Sequence, residues 1–142
     1  STASITTSSP NASTTMSCSN TSSGCTLYVK DAGNGTNPGL STSSPAYLIP
    51  SPNAAFSAST TLVAGTEGYG IQATTSSSLT IAKRYLVIGN DVGGFATSNQ
   101  AIATSSADIS NAEVIVTHKA AISDLSIAAK YEDTITYECT VN

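Results

Sequence analysis

The sequence has few of the residues from which catalytic, metal-binding and nucleic-acid-binding sites are usually built. It contains no Trp and one His, and charged residues make up only 10% of its 142 residues, against about a quarter in ordinary domains. Its five basic residues are dispersed, with Lys83 and Arg84 as the only adjacent pair. Nucleic-acid binding requires a clustered cationic surface, so the sequence predicts no nucleic-acid partner.

Long hydrophobic runs are also lacking. No apolar stretch approaches the roughly 20 residues that a membrane-spanning helix needs, and we expect no membrane insertion. The chain begins at Ser1 rather than Met, and we expect a mature exported product whose signal peptide was removed or left out. The expected location is therefore extracellular or at a cell surface.

Cysteine is scarce and is not arranged for metal binding. Cys18, Cys25 and Cys139 form no C-x-x-C pair, whereas a structural zinc site needs four ligands. In an exported protein we expect a disulfide between Cys18 and Cys25 that closes the loop 19–24, which leaves Cys139 free or bonded to another chain. Two alternatives stay open: three buried thiols, or a disulfide from Cys139 to one of the other two.

Ser and Thr are in excess and supply about a third of the residues. Hydrophobic residues (39%) are gathered in short β-branched runs, and Thr suits the solvent face of a strand. Helical periodicity is absent apart from the stretch 124–130, which is too short for a confident helix. Short strands separated by turn clusters predict an all-β fold, an antiparallel β-sandwich of jelly-roll or Ig-like Greek-key order. The predicted strands are 25–29, 60–64, 69–74, 79–81, 85–88, 100–103, 112–122 and 134–141.

Three of these expectations concern particular residues. The last strand alternates, with one predicted apolar face formed by Ile135, Tyr137, Cys139 and Val141. His118 lies on the apolar face of the strand over 112–122, where a core or sheet histidine is the ordinary interpretation. Prolines at positions 45, 50 and 52 predict a loop or an irregular edge over Ser41–Asn53.

No catalytic constellation stands out. One His and abundant Ser permit a triad with Asp108 or Asp124 in composition only, because no G-x-S-x-G elbow positions a nucleophile. Glu132 and Asp133 are the only adjacent carboxylates, and they precede a strand, where charges normally mark a solvated loop. We expect a protein that is not an enzyme and has no cofactor.

Asparagine-rich loops suggest two further kinds of site. Asp31, Asn34 and Asn37 offer oxygen atoms of the kind that calcium binds, but an Asn-Gly hairpin turn explains the same residues, and we expect no metal. Sequons begin at Asn11, Asn20 and Asn34. These are glycosylation sites if the source organism modifies its exported proteins.

The N-terminal segment differs from the rest of the chain. Residues 1–17 are polar, with Ile5 as the only large apolar residue before Met16, and we predict an extended arm there, followed by a single sandwich domain over residues 18–142. Backbone groups of an ordered polar arm must be paired, either within its own sheet or with a neighbouring subunit. Ala3, Ile5 and Thr7 share one face and are the expected donor-strand residues.

Two segments resemble exported prokaryotic surface proteins. The sequence LVAGTEGYGI at 62–71 and the closing AKYEDTITY at 129–137 are similar to WxL-type wall-associated domains and to TasA/camelysin-like fibre subunits. The resemblance covers about a third of the chain, and the W-x-L signature itself is absent because the chain has no Trp. It implies a jelly-roll-like sandwich outside a prokaryotic cell, and some relatives polymerise by strand donation.

These observations favour a structural subunit of a pilus-like filament or surface layer, assembled from copies of itself by strand donation. The alternative is a monomeric cell-surface adhesin or carbohydrate-binding module, with cell-wall or surface glycans as partners. Sugar sites favour exposed aromatic platforms, and the chain has no Trp, six Tyr and two Phe. Strand donation therefore requires a strand that can be exchanged, whereas glycan binding requires an exposed aromatic surface.

Overall fold

The computed structural model describes residues 2–9, 11–52 and 57–142, and within these ranges the chain consists of strands, turns and loops without a helix. The all-β fold class expected from the sequence is confirmed. The strands are β1 (Ser4–Thr7), β2 (Ala12–Cys18), β3 (Cys25–Asp31), β4 (Gly39–Ser43), β5 (Ala46–Pro50), β6 (Thr60–Thr61), β7 (Gly68–Thr74), β8 (Thr80–Ile81), β9 (Asp91–Val92), β10 (Gln100–Thr104), β11 (Ile109–Ile122) and β12 (Ile135–Val141).

The first sheet is organised around β11, a strand of 14 residues. β7 pairs with one edge of β11. β1 and β2 both pair with its other edge, β2 along the first half and β1 along the end. A bridge between Ile71 and Gly93 continues the sheet beyond β7, to β9 and its partner β6.

The second sheet has the order β12-β3-β10-β8, and all its pairings are antiparallel. β3 is its most buried strand, because it is covered by β12 and β10 on its two edges and by the first sheet on its inner face. β4 and β5 form a separate hairpin. One bridge, between Ser41 and Glu132, links this hairpin to the segment before β12.

The two sheets pack face to face as an antiparallel β-sandwich. Alternate residues of β11 point into the core, including the fully buried Val114 and Val116, and the opposing sheet contributes Leu27 and Val29. This is the two-residue period of a strand with one face covered. Among the described residues the largest fully buried side chain is that of Tyr85, which closes the core from a turn.

A second, smaller hydrophobic cluster lies on the outer face of the first sheet. Ala120 and Ile122 pack against the main core, whereas Ala121 joins Leu62 and Val92. Because successive strand residues point to opposite faces, Ala121 and its neighbours lie on the side of the sheet away from the sandwich core. Ile5 packs against this cluster.

Two local predictions were wrong. The segment over Ser41–Asn53, predicted as a loop or an irregular edge, contains most of the β4–β5 hairpin; Asn53 itself lies outside the described residues. The hairpin tolerates its prolines because Pro45 lies in the turn and Pro50 at the end of β5, where a missing N–H costs little. Residues 85–88 are not a strand. The Tyr85 N–H donates to the Ala82 carbonyl at 2.9 Å in a turn, so that the ring can enter the core.

Candidate functional site

The N-terminal arm is paired with β11 of its own chain. β1 runs antiparallel to the end of β11, with Ser4 opposite Ile122 and Thr7 opposite Lys119. The pairing ends at Ser8, whose N–H donates to the His118 carbonyl at 2.9 Å and whose Oγ accepts from the His118 N–H at 3.0 Å. The isolated chain therefore covers this edge of β11 with its own residues.

The three residues predicted to form the donor face differ in burial. Ala3 and Thr7 are exposed, and Ile5 is half-buried. Ile5 lies opposite Ala121 and packs on the outer cluster with Leu62 and Val92. β1 is thus held by backbone hydrogen bonds and by a single apolar side chain.

β1 and β2 are separated by a change in register along β11. Ser8 lies beside His118, and β2 begins with Ala12 opposite Val116. Three residues, 9–11, connect Ser8 to Ala12, whereas Thr117 alone separates their partners on β11. Pro10 lies outside the described residues. β2, in contrast to β1, places Met16 in the main core.

The disulfide expected between Cys18 and Cys25 is present. Cys18 is the last residue of β2 and Cys25 the first of β3, so the bond joins the two sheets at one corner of the sandwich. Ser105 supports this corner, because its Oγ accepts from the Cys25 N–H at 3.1 Å. A disulfide is compatible with an extracellular protein. Cys139 has a free, exposed thiol.

The predicted apolar face of β12 is only partly buried. Ile135 and Tyr137 are half-buried, whereas Cys139 is exposed and Val141 is 62% exposed. β12 is an edge strand. The second half of its predicted apolar face is exposed, although Leu27 on β3, which lies opposite Cys139, is buried. Periodicity identified the face, but only the position at the sheet edge decides which of its residues are buried.

The sequon asparagines Asn11, Asn20 and Asn34 are all exposed. The Asn34 Oδ1 accepts from the N–H groups of Thr36 and Asn37 at 3.0 and 2.8 Å, so the side-chain amide of Asn34 holds this turn together. Asn20 has a positive φ of 56°. Glycosylation of these three sequons stays a prediction.

Of the acidic residues considered for a triad, Asp124 is exposed and Asp108 has structural partners. The Asp108 carboxylate accepts from the N–H groups of Asn20 and Thr21, both at 2.9 Å. His118 is half-buried, and its Nδ1 is 2.8 Å from the Tyr69 hydroxyl. The rings of His118, Tyr69 and Phe95 are stacked or tilted against one another, which makes His118 part of an aromatic group.

A pair of carboxyl groups, one buried and one half-buried, lies near these rings. Asp31, at the end of β3, is 1% exposed and accepts from the N–H groups of Gly33 and Gly39. The Asp133 Oδ1 accepts from the same Gly33 N–H at 3.3 Å. Sequence reasoning treated Asp31 and Asp133 as loop residues. One signal was available: Asp31 continues the inward alternation of Cys25, Leu27 and Val29.

Burial shifts the pKa values of this group away from their ordinary ranges. Loss of hydration, followed by the hydrogen bond and the charge repulsion from Asp133, raises the pKa of Asp31 to about 8. Burial likewise raises the pKa of Tyr69 and raises that of Tyr137 to about 12. Burial lowers the pKa of His118, so the neutral imidazole is favoured.

Among the described residues, no group of three or more His, Cys, Asp or Glu side chains converges as a metal site. The same ranges contain no helix long and apolar enough to be a candidate membrane span. No family model matches the chain, and no curated protein and no solved structure is significantly similar to it. Its function must be argued from its own geometry.

Proposed function

We propose that this chain is a structural, non-catalytic subunit of an extracellular filament or surface layer, and that its copies assemble by exchanging the β1 arm. The observation that carries the proposal is the attachment of β1. It is an edge strand of four residues, fixed by backbone pairing and by Ile5, and separated from β2 by residues 9–11. Such a strand leaves its site at little cost in buried apolar area.

An arm from a second copy would make the same contacts as the chain's own arm. It has the same sequence, so Ile5 of the incoming arm would again meet Ala121, Leu62 and Val92. The exchange changes only the path of the linker, and it makes the binding of the arm depend on protein concentration, as in domain swapping. Strand addition of this kind uses main-chain hydrogen bonds for affinity and alternate side chains for specificity.

Exchange between copies gives a head-to-tail contact. Each subunit offers one arm and one β11 edge, so the contact uses two different surfaces. Contacts of this type form rings if the rotation closes and filaments if it does not. The low charge of the chain, 10% of its residues, limits the repulsion between neighbouring copies.

One observation favours the second candidate, a monomeric surface adhesin or glycan-binding module. β1 completes its own sheet in the single chain, so the sandwich needs no partner to cover β11. The two candidates differ in where the arm lies in the assembled material, and that difference is measurable.

A crosslinking experiment on the full chain distinguishes them. Thr7 lies opposite Lys119, so Thr7→Cys with Lys119→Cys in a Cys139→Ser background gives a disulfide between the arm and β11. After concentration and oxidation, arm exchange predicts a ladder of covalent multimers on a non-reducing gel. Oxidised monomers alone at all concentrations, together with monomeric light scattering, would overturn the proposal.

A matched pair of cysteines provides the control. Ser13 of β2 lies opposite Ile115, after the linker, so Ser13→Cys with Ile115→Cys should crosslink within one chain in either case. Deletion of residues 1–9 gives a second test by electron microscopy. Filaments that persist after this deletion would show that the arm does not make the contact.

A further inference from the structure

The carboxyl groups of Asp31 and Asp133 converge on one backbone N–H. The Gly33 N–H donates to Oδ1 of Asp31 and, at 3.3 Å, to Oδ1 of Asp133. The second oxygen of Asp31 accepts from Gly39 at 2.7 Å. The second oxygen of Asp133 is buried and has no partner among the described residues. A proton held between the two carboxyls satisfies this arrangement, because a protonated carboxyl donates to an ionised one.

The two residues belong to different parts of the chain. Asp31 and Gly39 bound the loop 32–38 and Gly33 lies within it, whereas Asp133 lies just before β12. Two other contacts join the same regions: the Ala32 N–H donates to the Thr134 carbonyl at 3.0 Å, and Ser41 and Glu132 exchange backbone hydrogen bonds of 3.0 and 2.8 Å. The carboxyl pair therefore lies where the loop meets the start of the last strand.

Among the described residues, no salt bridge to either carboxyl of the pair is present. Within the described ranges the only salt bridge joins Lys130 to Glu132 at the surface. The titratable groups that face the pair are Tyr69 of β7 and His118 of β11, and Tyr137 of β12 lies beside Tyr69. A tyrosine is never cationic, and burial favours neutral His118. Lys30, the neighbour of Asp31 in β3, points to the opposite face of the strand.

Two ionised carboxylates in such a place repel each other without screening by water. With one shared proton the pair is a singly charged, hydrogen-bonded unit. Without it, both carboxylates compete for the Gly33 N–H, and the simplest relief is for the loop to move outward. The sandwich core does not depend on this loop, because Leu27, Val29 and the β11 side chains pack independently of it.

We propose that Asp31 and Asp133 form a proton-operated clasp that holds the loop 32–38 against the start of β12 and releases it when their shared proton is lost. The raised pKa of Asp31 agrees with release on the alkaline side of neutrality. The clasp is independent of arm exchange, since β1 lies on another sheet. It makes the shape of this surface a function of pH.

Amide hydrogen exchange on the full chain tests the clasp between pH 5 and pH 9. After correction for intrinsic exchange, protection at Gly33 and Gly39 should fall with rising pH, by at most about tenfold per pH unit, up to the pKa of the closed pair, and should then level off. Protection at Val114 and Val116 in β11 should not change. Constant protection at Gly33 and Gly39 across this range would overturn the proposal.

Asp133→Asn gives the specific variant. Its amide oxygen can accept from Gly33 and its NH2 can donate to Asp31, so the clasp stays closed without a shared proton. The pH dependence at Gly33 and Gly39 should therefore become weaker, and what remains is due to the burial of Asp31. Glu132→Gln, at the exposed neighbouring position, should keep the behaviour of the wild type. An unchanged pH dependence in Asp133→Asn would contradict the assignment.

A measurement on the unmodified chain covers the case in which the variant does not fold. The side-chain carboxyl carbon of Asp31, followed by NMR, should titrate well above the ordinary range of an aspartate. Titration of Asp31 near pH 4, with the Gly33 and Gly39 amide shifts constant above pH 6, would show that no proton is shared.

Discussion

Ile5 of β1 lies directly opposite Ala121 of β11, and both side chains belong to the cluster on the outer face of the first sheet. Because Ile5 is the only side chain of β1 that packs on a hydrophobic cluster, Ile5→Ala should weaken the attachment of β1. We expect a loss of about 1 kcal/mol in the free energy of unfolding, less than for a fully buried Ile. Urea denaturation measures this loss. Thr7→Ala, on the same face but exposed, is the matched control, and an equal loss in both variants would contradict the role of Ile5.

The bond between Cys18 and Cys25 closes a short loop, with a sequence separation of 7. Replacing both by Ala should lower the free energy of unfolding by about 2–3 kcal/mol, mainly because the unfolded chain gains freedom. Cys139→Ala should change it by less than about 0.5 kcal/mol, because that residue is exposed. Denaturation without reductant compares the variants. A thiol assay on the folded wild type should detect one reactive cysteine per chain.

Stability should depend on pH through Asp31. Its pKa is about 8 in the folded chain and about 4 in the unfolded chain, so the folded state holds more protons between these values and stability falls as pH rises. Lowering of the His118 pKa acts in the opposite direction, but only below about pH 6.5.

Between about pH 6.5 and 8 the effect of Asp31 is therefore unopposed. The free energy of unfolding should decrease with a slope of at most about 1.4 kcal/mol per pH unit. Chemical denaturation at a series of pH values measures the slope. It should be flatter in Asp133→Asn, and a stability that rises over this interval in the wild type would contradict the prediction.

Gly93 faces the ring of Tyr85 at very short range. A Cβ at this position would lie 2.2 Å from Cδ1 and 2.4 Å from Cε1 of Tyr85, and the buried ring cannot move aside. Gly93→Ala should cost about 2 kcal/mol or more. Gly68→Ala is the matched control, because its Cβ would meet only the flexible end of Leu62 at 2.8 Å. Thermal unfolding should place the melting temperature of Gly93→Ala below that of Gly68→Ala.

Several features could be predicted from local sequence because their causes are local. Short β-branched runs and turn clusters predicted an all-β fold, and the strands over 69–74, 100–103 and 112–122 match β7, β10 and β11 to within a few residues. The short separation of Cys18 and Cys25 favoured the disulfide that the structure contains. The hairpin at β4–β5 was missed because the prolines were interpreted without knowledge of which N–H groups the ladder uses.

The carboxyl pair shows the limit of the same reasoning. Asp31 and Asp133 are separated by 102 positions, and neither alone differs from a solvated loop residue. Their proximity results from the pairing of β12 with β3, in which Ile135 lies opposite Asp31. Long-range pairing of this kind leaves no local pattern in one sequence.

The sequence by itself determined the strand content, the hydroxyl-rich surface and the low charge, and it favoured the disulfide, because propensity, alternation and short loop closure act over a few residues. The tertiary structure decided where the arm pairs, which half of β12 is buried, and that Asp31 and Asp133 share one N–H. These depend on which sheet edges meet and which faces are covered. Both are properties of the folded chain, set by contacts between residues far apart in sequence.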